Sequence, residues 1–161
     1  MNVFDCAIKR EEDTRRYFMG LVEKATDPEL KILFSMLADC EDEHKKRLLN
    51  LKRRMDGKMS VLEDLDVSVC SYRPFLTQSE LLEEKGNDPD LYLFTVKKEE
   101  QDITFYRELA ERAANEQTRK SLLMLADEER RHLERMEEIY AFVETPRTYL
   151  ESGEFSNLRP L

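Results

Sequence analysis

The stretches LADCEDEH, Leu37–His44, and LADEERRH, Leu125–His132, open on the same three residues, and each ends with a histidine three positions after a glutamate. His44 and His132 are the only two histidines in the chain, and Glu41 and Glu129 precede them. On a helix this spacing sets a carboxylate and an imidazole on one face.

Working outward, a shift of 88 residues lays 7–44 over 95–132 without a gap, and twelve of the 38 positions are identical. Among them are Glu11 with Glu99, Glu12 with Glu100, Leu21 with Leu109 and the Met-Leu-Ala-Asp runs. Gapless identity over this length points to a duplicated unit. Each unit reads as a helical hairpin, because apolar residues recur at helical spacing on both sides of a short break. Asp27-Pro28 and Asn115 supply the caps at the two breaks, Gly57 ends the second helix and Asp88-Pro89 begins the third. The pattern predicts helices over about 3–25, 28–56, 89–114 and 116–143. The stretch of about 57–87 is a crossover long enough to run the length of a bundle, with a short helix near Ser79–Lys85. The expected domain is an all-α four-helix bundle over 1–143, followed by a polar tail over 144–161.

The apolar stripe of each predicted helix is broken by a carboxylate. The second helix runs Leu30, Leu33, Leu37, Glu41, His44, Leu48, Leu51, and the fourth runs Leu122, Leu125, Glu129, His132, Met136, Ile139. Glu11 interrupts the first stripe and Glu99 the third. Counting from the hairpin turn at 26/27, Glu11 lies 15.5 residues back and Glu41 14.5 forward, a mismatch of about 1.5 Å along the axis. Four glutamates and two histidines therefore converge on one layer. Burying unpaired carboxylates costs several kcal/mol each, so something cationic has to sit among them. Two divalent ions balance four carboxylates, and this ligand set is the one that di-iron and di-manganese bundles use. Glu12 and Glu100 lie off the stripe and read as surface residues.

Composition narrows the partners. A net charge of -9 disfavours nucleic acid and anionic membrane surfaces. The longest uncharged run is the seven residues Ile32–Ala38, so neither a membrane span nor an export signal is expected, and a cytoplasmic location is. Cys6, Cys40 and Cys70 form no Cys-x-x-Cys pair and read as reduced thiols, with Cys70 in the crossover the one open to reaction.

The Glu-x-x-His pair in each half, the upstream stripe glutamate and an aromatic seven residues after it together resemble the rubrerythrin family of ferritin-like proteins, from Phe4 to Val143. The resemblance implies a ferritin-like bundle of two hairpins joined by the crossover. It implies two iron ions, with manganese or zinc as alternatives, bridged by Glu41 and Glu129. Glu11 and Glu99 would be terminal carboxylates, with His44 and His132 completing the shells. Tyr106 matches a tyrosine that supports the ligands, where the first half has Phe18, and Asp102 stands where the family carries an exchangeable glutamate. The family's four-cysteine rubredoxin domain has no counterpart here, so electrons would come from an external rubredoxin-like or flavin protein. The implied activity is hydrogen peroxide reduction in oxidative-stress defence, with the chain working as a homodimer. Iron handling through ferroxidase chemistry and a metal-free interaction module are the alternatives.

Overall fold

A computed structural model of the protein describes residues 1–55, 57–84 and 88–151, with side chains over 1–55, 57–83 and 91–142. Five helices form: α1 (Val3–Lys24), α2 (Pro28–Arg54), α3 (Gln78–Glu84), α4 (Asp88–Glu111) and α5 (Glu116–Glu151). No strand occurs among the described residues. The helix starts follow their caps. Asn2 Oδ1 accepts from Asp5 N and Asp27 Oδ1 from Glu29 N, while Asn115 Oδ1 accepts from Thr118 N at 2.8 Å. Thr77 and Glu80 exchange side-chain and backbone hydrogen bonds across the start of α3, a capping box. Gly57, at φ +85°, takes the left-handed conformation that lets the chain leave α2.

The expected long helices hold to within a few residues except at one end. α5 continues to Glu151, past Val143, where a tail was expected. Polarity alone does not stop a helix, and Pro146 is the one proline or glycine between Glu144 and Glu151. The rest of the expected tail, 152–161, lies outside the described residues.

α1 packs along α2 and α4 along α5, giving two antiparallel hairpins that meet through α2–α5 and α1–α5 contacts. Two apolar clusters result. One gathers Phe18, Leu21, Leu33, Phe34, Leu91, Phe94, Met136 and Ile139. The other gathers Phe4, Ala7, Leu48, Tyr106, Leu122 and Leu125. In every long helix the residues between its two apolar segments are the polar ones at the Glu11, Glu41, Glu99 and Glu129 level, so a charged layer lies between two apolar ones.

The crossover rises alongside α1. The Met1 amino group donates to Leu65 O, Tyr72 N donates to Asp13 Oδ2, and Tyr17 Oη donates to Leu76 O at 2.8 Å. The Gln78 amide then reaches Tyr17 O, where a Cβ at Gly20 would collide with it. Leu62 enters one apolar cluster and Leu81 the other, so the crossover spans the bundle.

This path overturns the expectation of three reduced thiols. Cys6 and Cys70 are joined in a disulfide with Cα atoms 5.0 Å apart, and Cys40 alone is free. A long sequence separation concealed the pair, because only the crossover's course against α1 brings Cys70 to Cys6. Closing a loop across 64 residues removes unfolded-state entropy worth about 4 kcal/mol in the chain-entropy account. We expect Cys70→Ser to lower the unfolding free energy by about 2 to 4 kcal/mol. Urea unfolding with matched slopes measures it, and an unchanged midpoint contradicts the bond.

Candidate metal centre

Each ligand-type side chain is carried by the middle of a long helix, and all six predicted residues reach the same layer. Glu11, Glu41, Glu99 and Glu129 are buried, as are His44 and His132. His132 Nδ1 lies 3.1 Å from Glu99 Oε2 and 3.7 Å from Glu129 Oε2, and its Nε2 lies 3.7 Å from Glu41 Oε2. His44 Nδ1 lies 3.3 Å from Glu11 Oε2 and 3.8 Å from Glu129 Oε1. The two imidazoles face each other, with ring centroids 4.3 Å apart.

The donor atoms fall into overlapping sets, each with its atoms within 4.8 Å of one another: Glu11, His44, Glu129 and His132; Glu41, Glu99 and His132; Glu99, Asp102 and Glu129. Both carboxylate oxygens of Glu11 and of Glu41, both ring nitrogens of His44, Glu129 Oε2 and His132 Nε2 have no hydrogen-bond partner. Buried polar atoms are normally satisfied. Unsatisfied oxygens and imidazole nitrogens converging on shared space fit metal ions, with the oxygen-rich, two-imidazole character that suits iron or manganese.

The layer also contains a cation that sequence reasoning missed. Lys98 is 1 % exposed, with Nζ 2.7 Å from Asp102 Oδ2, 3.3 Å from Glu99 Oε1 and 3.8 Å from Glu41 Oε1. Arg10, its counterpart under the 88-residue shift, donates from Nη2 to Asp102 Oδ1 at 2.6 Å. Asp102 is therefore clamped between two cations. A signal was present, since a basic residue directly precedes the stripe glutamate in both halves, but Lys98 reads as a solvated neighbour of Lys97. Tyr106 is fully buried and its hydroxyl has no partner, whereas Phe18 packs in the neighbouring apolar cluster. Glu100 is exposed as expected, but Glu12 is half-buried between α1 and α2, taking Arg15 at 2.8 Å and Lys45 at 3.1 Å.

Without metal the layer distributes its charge unevenly. Burial, reinforced by the Glu11 charge, raises Glu41 and Glu129 well above the usual carboxylate range, so both favour the protonated form. Burial works against ionisation of Glu99 too, but His132 and Lys98 outweigh it and bring that carboxyl down to about 2. Glu11 is likewise held well below its ordinary value against burial, by His44 and Lys98. Burial disfavours charge on His132, yet Glu99 and Glu41 raise it well above an ordinary histidine. Burial and the Glu129 charge keep Tyr106 protonated.

A cavity of about 190 Å³ opens onto this layer. His44 and His132 form its inner wall, with Cys40 beside them, and Arg47, Arg131 and Arg135 stand around its mouth. Glu128 pairs with both Arg47 and Arg131. The lining consists of positions related by the 88-residue shift: Cys40 and Glu128, Glu43 and Arg131, His44 and His132, Arg47 and Arg135. The opening therefore lies where the two hairpins are symmetrically related.

The family model described as Rubrerythrin matches residues 2–86 and 93–154. The chain belongs to the rubrerythrin family. Among solved structures, this rubrerythrin-family chain is similar to a hypothetical protein from Pyrococcus furiosus at 28 % identity, over 89 % of both chains, with a TM-score of 0.49. It is also similar to a ferritin-like diiron-carboxylate protein from Thermotoga maritima at 24 % identity, over 87 % of this chain and 95 % of that one, with a TM-score of 0.48. No curated protein matches it.

Two outcomes follow for the metal-free protein. Glu41, Glu129 and His132 bind protons more tightly when folded, so their contribution to stability is present below their unfolded values of 4.5 and 6.5 and is lost as pH rises. Glu99 works in the opposite sense, stabilising above 4.5 and losing that contribution as pH falls towards about 2. The urea midpoint of chelator-treated protein should peak at mildly acidic pH and decline as pH rises above about 6.5; a flat profile contradicts this. Replacing Glu41 and Glu129 together by leucine joins the two apolar clusters and should stabilise the metal-free chain by about 1 to 4 kcal/mol. Unfolding midpoints no higher than the parent's would show that the layer is not strained.

Proposed function

We propose that the chain holds two iron ions in the charged layer and reduces hydrogen peroxide with electrons from a separate donor protein. The observation that carries this reading is the set of overlapping, unsatisfied donor atoms beside a cavity of about 190 Å³, roomy enough for a small oxidant. Glu11, Glu41, His44, Glu99, Glu129 and His132 would hold the ions, with Glu41 and Glu129 shared between them. A bound iron pair supplies the two electrons that cleave peroxide, H2O2 + 2e⁻ + 2H⁺ giving two waters. Iron and manganese suit the donor set, whereas zinc offers no electrons.

The chain's own groups do the rest. Metal binding needs Glu41 and Glu129 deprotonated, so loading releases protons. Tyr106 Oη holds a proton inside the site, and Asp102, fixed by Lys98 and Arg10, is positioned beside Glu99 and Glu129 as an additional carboxylate. Arg47, Arg131 and Arg135 shape a mouth through which a small polar molecule reaches the imidazoles.

With three cysteines, two of them joined to each other, the chain has no four-thiolate electron carrier of its own. An external rubredoxin-like or flavin protein completes the cycle. The reading places the activity in the bundle, 1–143, gives 144–161 no part in it, and takes the working form as a homodimer, for which Leu93 and Phe142 offer exposed apolar surface. No helix of the described residues is long and apolar enough to cross a membrane. A cytoplasmic setting belongs to the same reading.

Elemental analysis after anaerobic loading should find two Fe(II) per chain, and stopped-flow oxidation should be faster with peroxide than with oxygen. Fewer than one bound ion removes the centre. Faster oxidation by oxygen with release of ferric iron replaces peroxide reduction by iron handling.

A further inference from the structure

A second cavity, of about 340 Å³, lies off the hairpin axis between α1, α4 and the crossover. Arg10, Arg73, Ser68, Ser71, Gln101 and the Phe105 ring line it, and no acidic side chain does. The lining thus carries two guanidinium groups, of which Arg10 is paired with Asp102 behind the wall and Arg73 is not paired among the described residues.

Arg10 is 7 % exposed and is held in place from several sides. Nη2 goes to Asp102, Nη1 to Val69 O at 3.4 Å, and the guanidinium carbon lies 4.1 Å over the Phe105 ring. Its Nε has no partner. That nitrogen is enclosed by protein, and it is the accessible edge of this fixed guanidinium that lines the cavity. Arg73 is exposed and makes no ion pair among the described residues. The Ser68 hydroxyl donates to Asp66 Oδ1, while the Ser71 hydroxyl makes only a long contact to Val67 O at 3.5 Å. Two guanidinium groups, the weakly held Ser71 hydroxyl and the Gln101 amide around one space present donors from several directions, the arrangement a tetrahedral oxyanion accepts.

The 88-residue repeat sharpens the argument. Lys98, which occupies the corresponding position in the second half, is fully engaged with Asp102, Glu99 and Glu41. Arg10 meets only Asp102 among the acidic groups and otherwise lines the cavity.

We propose that this cavity binds a small oxyanion of the phosphate class, held by Arg10 and Arg73. The bound anion and Asp102 share one guanidinium, so occupancy competes with the clamp that holds Asp102 beside the charged layer. The site is separate from the cavity at His44 and His132 and stands independently of the proposed peroxide chemistry.

The test is titration calorimetry of the full chain with inorganic phosphate in chloride buffer at low ionic strength, on protein as purified and after chelation. Saturable binding of one phosphate per chain is expected in both. Arg73→Glu, at an exposed position, should weaken it by about tenfold or more, the scale of a lost charged hydrogen bond. Arg47→Glu, at the other cavity, should leave it unchanged. Asp102→Asn, which removes the competing charge, should tighten it several-fold without requiring an Arg10 variant to fold. Glycerol 3-phosphate is the second arm: tighter binding than inorganic phosphate identifies an ester as the ligand, and weaker binding identifies free phosphate. Absence of saturation, loss of binding on chelation, or equal affinity in the Arg73→Glu chain overturns the assignment.

Discussion

Four buried carboxyl groups set the organisation of this bundle. Removing such groups from solvent is so unfavourable that they persist only with compensating charge. Here compensation comes in three forms at once. Lys98 lies against Glu99 and Asp102, His132 lies against Glu99 and Glu41, and Glu41 and Glu129 favour the neutral form. The apolar clusters on either side fix the helices that carry the layer, so the donor atoms are held together mainly by packing, with a hydrogen-bond contact between His132 and Glu99 among them. Burial this complete strengthens each electrostatic interaction inside the layer.

The duplicated halves share a scaffold but not a charge pattern. Phe18 faces the same level as Tyr106, Thr14 stands where the other half has Asp102, and Arg10 where it has Lys98. In the first half the Thr14 hydroxyl turns back to its own helix and donates to Arg10 O. The second half instead brings Asp102 into the centre, where it draws Arg10 across from α1. Symmetry is retained at the mouth beside the imidazoles and broken on the opposite, glutamate-bearing helices. One side of the layer is built from equivalent positions, and the other discriminates between the two halves.

The charged layer was legible in the sequence because helical periodicity converts spacing into direction: a glutamate inside an apolar stripe has nowhere to point but inward. The same logic failed for Lys98, which neighbours Glu99 along the chain and so belongs to the flank of the stripe. A long, flexible stem lets its ammonium reach the layer from that flank, and periodicity carries no information about stem length. The Cys6–Cys70 bond was illegible for a different reason, since it depends on where an irregular segment lies. Nothing in that segment's composition states that it hugs α1. The extension of α5 beyond Val143 is not legible in the sequence, because polar composition by itself neither starts nor stops a helix.

The disulfide also bears on the order in which the chain can acquire its structure. Both cysteines lie within the first 70 residues, and the loop they close contains α2 and most of α1. During synthesis, when folding proceeds from the N-terminus, the first hairpin and the lower crossover can therefore pack together and bring the two sulfurs into range before α4 and α5 have emerged. Glu11, Glu41 and His44 would then wait on a half-bundle for the second pair of helices to bring Lys98 and close over them.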